Sequence, residues 1–150
     1  MNIIECMQKI LSKGKYMDEF NGIHIDYTNN KDLNTGLFLT NDSKIKSDVL
    51  GNVTRQANFA VYRNVFNAND KERIENSSFI LDLANYLEDL SFDGIEFDSK
   101  VGDEMYKSVI TSIQCSNGMM FQYLNGNPTL GAQYMLQVQV TYQIQSGICI

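Results

Sequence analysis

The sequence predicts an α+β protein in which one long helix and a short N-terminal helix pack on a mostly antiparallel β-sheet. Two observations predict the sheet: apolar and polar residues alternate over 134–145, and again over 53–66, as in strands with one buried face. A third predicts the long helix, because apolar residues over 80–90 recur every three or four positions. Helices and strands do not alternate regularly along the chain, which favours α+β over a doubly wound architecture.

The chain is expected to open with a short helix and two short strands. Four apolar residues at helical spacing predict an amphipathic helix from Asn2 to Tyr16 that ends near Gly14: Ile3, Met7, Ile10 and Leu11. Strand-like segments at 22–27 and 37–39 flank a run of turn-forming residues. The polar stretch from Thr40 to Asn52 shows no sustained period, so a surface loop is predicted there.

A long strand and the long helix are expected in the middle of the chain. From Val53 to Phe66 one face is mainly apolar and the other carries neutral polar residues. Asn69 or Asp70 can cap the helix that follows. The apolar stripe of this helix is expected to pack on the sheet and consists of Ile80, Leu83, Ala84, Leu87 and Leu90.

Three more strands are expected after the helix. An acidic loop from Phe92 to Tyr106 leads to a strand from Ser108 to Cys115. Asn117-Gly118 is predicted to form a tight turn into a strand over 119–123. The segment 125–128, which consists of Asn, Gly and Pro residues, breaks the chain before the last strand. The predicted order is α-β-β-loop-β-α-β-β-β.

The last strand, from Tyr134 to Gln145, has the most informative pattern. One face is apolar, and the other is polar but uncharged. Solvated strand faces usually carry Lys or Glu, which prevent unwanted association. We therefore interpret three glutamines as candidate contacts with another subunit or partner: Gln137, Gln139 and Gln143. An ordinary half-buried strand with neutral polar residues is the alternative.

Length and composition indicate one globular domain over 1–150. A chain of 150 residues with 43% hydrophobic and 20% charged residues can bury a core without a metal or disulfide. The net charge of −6 is not offset by a cluster of Lys or Arg, which argues against a general nucleic-acid binder.

The cysteines and the hydropathy pattern indicate the cellular compartment in which the protein is expected to fold. Cys6, Cys115 and Cys149 are an odd number and lie far apart, so we expect buried thiols in a reducing cytosol. The sequence shows neither the pattern of a signal peptide nor an apolar run that could span a membrane.

Catalytic, metal-binding and cofactor-binding motifs are not apparent, and an enzyme is not expected. The one histidine, His24, lies in a strand-like segment without a nucleophile motif. The acidic residues over 93–104 lack the spacing of an EF-hand, and the glycines do not form a phosphate-binding loop. We predict no catalytic residue, no metal and no cofactor.

Arg55 and Arg63 fall on the apolar face of the strand over 53–66. A charge on such a face requires a partner or a position at the end of the strand. One interpretation is an ion pair with a carboxylate of the same chain. The other is that one arginine reaches across a subunit boundary, because the planar guanidinium favours a fixed geometry.

Three segments together suggest a family. Residues 55–59 read Arg-Gln-Ala-Asn-Phe, residues 75–77 read Glu-Asn-Ser, and Tyr134, Gln137 and Tyr142 share the last strand. This order resembles the small minor capsid proteins encoded in the head-to-tail region of tailed phages of Gram-positive bacteria. In that family an Arg-Gln-x-Asn-Phe strand precedes a helix that opens with Glu-Asn-Ser, and a Tyr-x-x-Gln-x-x-x-x-Tyr-like strand follows. Tyr86 departs from the pattern, since tryptophan is expected there.

The resemblance implies a structural virion protein, a tail terminator. Such α+β subunits assemble into a ring, usually a hexamer, at the head-proximal end of the tail tube. The ring stops tube polymerisation and provides the attachment surface for the head connector, or for the collar of a headless phage-tail-like bacteriocin. The implied partners are copies of the chain, the tail tube protein and, in a contractile tail, the sheath. DNA only passes through the channel, and no membrane is involved. The implied location is the virion tail or a tail-like particle, made in the host cytoplasm.

Other functions remain open. A neck, tube-initiator or other tail-completion protein of the same particle would fit the same residues, because phage tail components share related α+β folds. An adaptor acting as a monomer or dimer would also fit, with the two predicted loops as partner-binding elements. A small ligand-binding protein or an enzyme could line a pocket with aromatic residues of two strands: Phe59, Tyr62, Phe66, Tyr134 and Tyr142.

Overall fold

Two helices lie on one face of a curled, mostly antiparallel sheet, and the predicted α+β class is confirmed. The computed structural model describes residues 2–13, 24–25, 35–66, 70–123 and 131–149. In chain order the elements are α1 (Ile3–Leu11), β1 (His24–Ile25), β2 (Thr35–Ser47), β3 (Val53–Phe66), α2 (Asp70–Asp89), β4 (Glu96–Val101), β5 (Glu104–Tyr123) and β6 (Gly131–Cys149). A 3-10 turn, Leu90–Phe92, follows α2.

The strands are arranged in the order β1-β2-β3-β6-β5-β4. β1 pairs in parallel with β2 over two residues, and the remaining pairs are antiparallel. The last strand, β6, lies between β3 and β5. Its register with β3 is unbroken from Val53 opposite Ile144 to Phe66 opposite Gly131. This register fixes which side chains of the two strands share a face.

The core lies between the helices and the face of the sheet that they cover. On β6 it takes the alternating residues predicted from the sequence, and Tyr134, Leu136 and Val138 are each 1% exposed. The predicted stripe of α2 contributes Ile80, Leu83 and Leu87, with Ala84 and Leu90 partly buried beside them. α1 contributes its four predicted apolar residues, Ile3, Met7, Ile10 and Leu11. Both helices therefore cover the same face of the sheet, and neither covers the other face.

The short N-terminal helix is held at both ends. The side chain of Asn2 caps α1 by accepting a hydrogen bond from the backbone N–H of Glu5 at 2.9 Å. The hydroxyl of Tyr86 on α2 donates to the carbonyl of Ile10 at 3.2 Å. Gly14, which was expected to end the helix, lies outside the described residues.

The predicted surface loop from Thr40 to Asn52 is wrong over most of its length. Strand β2 extends to Ser47, and only the turn at 48–52 connects it to β3. The apolar alternation that identifies a strand is absent because β2 lies near the edge of the sheet. Register shifts between Leu39 and Asn41, and between Lys44 and Lys46, disturb the period further.

The predicted acidic loop from Phe92 to Tyr106 is also wrong. It contains β4 and the start of β5, joined by a tight turn in which Gly102 has a φ of 64°. Phe97 holds β4 to the core and is 3% exposed. Its neighbours Glu96 and Asp98 obscured the strand in the sequence, because a short edge strand keeps charges on its outward side.

Asn117-Gly118 does not form the predicted turn, and the two strands expected around it are one continuous strand, β5. The register with β6 shifts between Ser116 and Met119, which accommodates the dipeptide as an irregularity. Gly118 serves close packing instead. A Cβ at this position would lie 2.8 Å from Cγ2 of Ile80. The predicted strand over 22–27 beyond residues 24–25, the cap at Asn69 and the breaker at 125–128 lie outside the described residues.

Candidate subunit interface

The sheet face opposite the helices carries no charged side chain across the centre of four strands. We call this surface the uncharged face. It consists of Asn41 and Ser43 on β2, Gln56, Asn58 and Ala60 on β3, Gln137, Gln139, Thr141 and Gln143 on β6, and Ser112, Gln114 and Ser116 on β5, all related by the strand registers. Amide and hydroxyl groups, which can both donate and accept hydrogen bonds, dominate it. Most of these side chains are partly or fully exposed.

The polar groups of this face bond to one another and to the sheet. The hydroxyl of Thr40 donates to the carbonyl of Asn58 at 3.0 Å. Nε2 of Gln56 donates to Oδ1 of Asn58 at 3.5 Å, which is a long contact. Nearby, Nε2 of Gln133 donates to Oδ1 of Asn64 at 3.0 Å. These contacts link neighbouring polar groups along and across the strands.

A groove of about 400 Å³ runs across the uncharged face. It lies over Ala60, which is 3% exposed and stands in one row of the sheet with Phe38, Gln137 and Ser116. Alanine is the smallest side chain of that row, so the surface dips there. The rim is formed by neutral polar residues: Thr40, Asn58, Gln114, Ser116, Gln137 and Gln139. The groove can therefore take an uncharged segment without burying an ion.

The four aromatic residues considered for a ligand pocket whose side chains the structure describes do not line one pocket together. Phe59, Tyr134 and Tyr142 are buried in the core on the helix-covered face. Tyr62 lies on the opposite face, where its ring meets Phe38 edge-on at a centroid distance of 5.2 Å. The side chain of Phe66 is outside the described set. The strand alternation separates these rings, as expected for residues at odd and even positions.

Arg55 forms an ion pair with a carboxylate of the same chain, as the first of its two interpretations predicts. Its Nε lies 3.0 Å from Oδ1 of Asp42, and the other carboxylate oxygen accepts a hydrogen bond from the hydroxyl of Tyr142 at 2.8 Å. Burial alone would lower the pKa of Arg55, but the hydrogen bond and the charge of Asp42 raise it. Burial, reinforced by the hydrogen bond to Asp42, raises the pKa of Tyr142 to about 12. This cluster ties β2, β3 and β6 together.

Arg63 is 5% exposed and stacks on α2, with its guanidinium carbon 4.5 Å from the centroid of the Phe79 ring. Both arginines thus lie on the helix-covered face. Gln137, Gln139 and Gln143 lie on the uncharged face. The structure does not bring the five candidate residues together, and an intersubunit role for either arginine stays a prediction.

The described residues contain no group of three or more metal-ligating side chains that could hold an ion. Cys6 is a buried free thiol and Cys115 is a partly buried one. Burial raises the pKa of both thiols. At Cys6 the positive charges of Lys13 and Lys9 partly offset this rise, whereas at Cys115 the negative charge of Glu88 adds to it. Both thiols are therefore poor nucleophiles at neutral pH.

Two hairpin ends carry exposed aliphatic residues that the sequence interpretation missed. Val49 is fully exposed and Leu50 is 76% exposed in the β2–β3 turn, and Val101 is 50% exposed at the end of β4. Gly51 and Val101 line one depression of about 150 Å³, so both ends lie at the same end of the sheet. The dipeptide Val-Leu between Asp48 and Gly51 was the available signal, because large aliphatic residues are unusual in a tight turn.

No protein-family model matches the sequence, and no curated protein matches it significantly. Within the described part of the chain, neither helix has the length and apolarity required to cross a membrane.

Proposed function

We propose that the protein is a structural subunit that assembles with copies of itself into a ring, and that it acts as a tail terminator on the head-proximal end of a phage tail tube or a phage-tail-like particle. The ring would stop tube polymerisation and offer the attachment surface for the head connector or collar. The observation that supports this proposal is the uncharged face, which neither helix covers.

The charge distribution favours this face as the contact surface. Copies of a protein with a net charge of −6 repel each other in general. On the uncharged face, two subunits can approach without removing ions from water, which is the largest penalty of a polar interface. Interface centres are depleted in charged residues for the same reason.

The edges of the sheet are less suited to association. β2 carries Lys44 and Lys46 on either side of one of its two register shifts, and the six residues of β4 include Glu96, Asp98 and Lys100. Charges, irregular register and short length are the features that prevent strands from pairing at an edge. We therefore favour contact through the face over extension of the sheet between subunits.

The size of the uncharged face is sufficient for a modest interface. Four strands at about 4.8 Å spacing, followed over eight residues of β6 at about 3.3 Å each, give roughly 500 Å² per subunit. A contact that covers this face and an equal area of a different surface on the neighbouring subunit buries roughly 1,000 Å² in total, which is near the lower limit for a specific association. A single contact would be weak, and a closed ring with a contact on each side of every subunit would be more stable.

Negative-stain electron microscopy of the protein mixed with purified tail tubes, together with the mass of the protein in solution, tests the proposal. A ring at one end of each tube, and tubes that no longer lengthen when tube subunits are added, would support a terminator. A ring from which tubes grow would favour a tube initiator of the same particle. A folded monomer that ignores tubes would contradict both.

A further inference from the structure

Strand β5 is longer than the strand that covers its outer side. β4 pairs with β5 only as far as Val109, whereas β5 continues to Tyr123. Among the described residues, no strand pairs with the outer side of segment 114–123. We call this segment the open edge. It contains about ten residues and is roughly 33 Å long at ~3.3 Å per residue.

The side chain of Ser91 marks where the open edge begins. Its hydroxyl donates to the backbone carbonyl of Ile113 at 3.1 Å and accepts from the N–H of the same residue at 2.7 Å. A residue of an antiparallel strand directs both backbone groups to the same side, so Ile113 and Cys115 both direct theirs away from β6. No hydrogen bond joins the outward groups of Cys115 to another described residue. The outer side of β5 is therefore satisfied at Ile113 and open beyond it.

The open edge lacks the charges that protect the edges formed by β2 and β4. No charged residue follows Lys107 in the sequence, and the open edge contains no proline. Charged side chains and proline are the residues that usually prevent an exposed edge from pairing with another chain. The open edge is therefore the part of the sheet best suited to add a strand.

We propose that the open edge binds an uncharged extended segment of another polypeptide, which adds a strand to the sheet beside β5. This inference goes beyond the proposed ring and does not rest on it, because the ring contact uses a face of the sheet and this contact uses an edge. The chemistry of the edge selects the class of occupant. Outward N–H and C=O groups at strand spacing are matched by the backbone of an extended chain, whereas a nucleic acid, a saccharide or a lipid cannot form such a ladder.

The side chains of β5 define the residues that the segment should carry. Gln114 and Ser116 are exposed on the uncharged face. Cys115 lies between them on the helix-covered face, opposite Val138, and is partly buried. An added strand continues both rows of side chains. We therefore expect a segment that alternates apolar and neutral polar residues.

A separate segment fits the open edge better than a second copy does. The β2 and β4 edges of a second copy would bring charged side chains to the contact. Its own open edge carries the same two register shifts, between Ser116 and Met119 and between Met120 and Gln122. Two strands that are each held in a sheet would have to match these irregularities, whereas a segment outside any sheet can adapt to them. A contact between two open edges would also be two-fold and close at two subunits.

A synthetic peptide of residues 134–145, the β6 segment from Tyr134 to Gln145, is the probe. It is uncharged, it alternates apolar and neutral polar residues, and β6 pairs with β5 from the other side in the structure. Fluorescence anisotropy of the labelled peptide, titrated with the full chain, measures binding. We expect saturable binding that is roughly tenfold or more tighter than that of a scrambled peptide, because only the ordered peptide keeps the alternation. Absence of binding, or equal binding of the two peptides, would overturn the proposal.

Two N-methylated peptides determine whether binding uses one side of the added strand. One is methylated on the backbone nitrogens of residues 136, 138 and 140, and the other on those of residues 137, 139 and 141. One set should weaken binding roughly tenfold or more, because several hydrogen bonds are lost, and the other should leave it nearly unchanged. A peptide that replaced β6 would pair through both sides, and both sets would weaken its binding. That result, or no effect of either set, would contradict strand addition at the open edge.

Hydrogen exchange followed by NMR locates the contact on the protein. Bound peptide should slow exchange of the Cys115 amide, which is directed to the open edge, roughly tenfold or more. Exchange of the Gln114 amide, which is directed to β6, should be unchanged. Slower exchange on β2 or β4, with no change at Cys115, would show that the peptide binds elsewhere and would refute the assignment.

Sedimentation velocity with and without the peptide tests the second copy as occupant. Dimers that the peptide dissociates would indicate pairing between two open edges and would overturn the proposal. Monomers that bind the peptide would support it, as would larger assemblies that bind the peptide and stay intact. Only the larger assemblies are expected from the uncharged face, so failure of this inference and failure of the proposed ring are distinguishable.

Discussion

The two faces of β6 differ in both burial and chemistry. Leu136, Val138 and Val140 are at most 1% exposed and pack beneath the helices. Their sequence neighbours Gln137 and Gln139 point the opposite way, to a face that neither helix covers and whose centre carries no charged side chain. One strand thus contributes alternately to the fold and to a surface fit for association, and substitutions at adjacent positions should have separable effects.

The edges of the sheet add a second contrast. Charged residues lie near the β4 edge, where Nζ of Lys107 on β5 is 2.8 Å from Oε2 of Glu96 on β4, whereas the centre of the uncharged face has none. Such surface ion pairs contribute little to stability. Their position is informative instead. Charges at the edges discourage pairing with strands of another molecule, whereas the centre of the uncharged face carries no such charges.

The largest difference is expected between Leu136→Ala and Gln137→Ala. Removing the buried leucine should lower the free energy of unfolding by about 2–5 kcal/mol, because it leaves a cavity beneath α2. Removing the exposed glutamine should change it by no more than about 0.5 kcal/mol. Urea unfolding measures both, and similar losses would contradict the assignment of the two faces.

The second largest loss in the free energy of unfolding is expected for Gly118→Ala. The added Cβ would lie 2.8 Å from Cγ2 of Ile80 and 3.3 Å from Cδ1 of Leu136, and both side chains must shift. We expect a loss of about 1–3 kcal/mol. The same substitution in an Ile80→Ala background should cost less, because Cγ2 of Ile80 is gone. An equal loss in both backgrounds would show that close packing against α2 is not the role of this glycine.

Alkaline pH should destabilise the protein through Tyr142. In the unfolded chain this group has the ordinary pKa of 10.0, whereas burial and then the hydrogen bond to Asp42 raise its pKa in the folded protein to about 12. Above pH 10 the unfolded state therefore loses its proton first, and stability falls as pH rises towards about 12. Tyr142→Phe should reduce this slope, measured by urea unfolding at pH 8 and pH 11. An unchanged slope would contradict the raised pKa.

The smallest effect on stability, and a large one on assembly, is expected for Gln139→Lys combined with Gln143→Lys. Both positions are partly exposed, so the unfolding free energy should change by about 0.5 kcal/mol or less at each site. Ring formation should be impaired, because each subunit would bring two charges into the contact. Asn85→Lys on the exposed side of α2 is the control. Normal assembly of a folded double variant would remove this face from the proposed interface.

The fold could be predicted where one side of an element meets the core. β3, β6 and the apolar stripes of both helices follow the alternation or helical spacing that burial imposes. β2 and β4 could not. β4 has one neighbouring strand, β2 has a second one only at Gly36 and Leu37, and the polar exteriors of both strands make their sequences resemble loops. The turn predicted at Asn117-Gly118 was wrong for another reason. Glycine also permits close packing, and the local sequence does not show that Ile80 lies above Gly118.

The candidate site was predictable only in part. The neutral glutamines of β6 were evident from one strand, but their alignment with Asn58 and Gln114 depends on strand pairing. The groove over Ala60 depends on neighbours from four strands. The Arg55–Asp42 pair also requires the β2–β3 register, which does not follow from the sequence because β2 lacks the alternation of a strand.

The measurement that tests the central claim most directly is the fraction of tail-tube ends that carry a ring, counted by negative-stain electron microscopy for wild type, the Gln139→Lys and Gln143→Lys double variant, and Asn85→Lys. If the uncharged face forms the subunit interface of a tail terminator, wild type and Asn85→Lys should cap one end of each tube, and the double variant should leave the ends bare although it is folded. Bare ends with the wild-type protein would contradict the terminator function, and capping by all three proteins would contradict the interface.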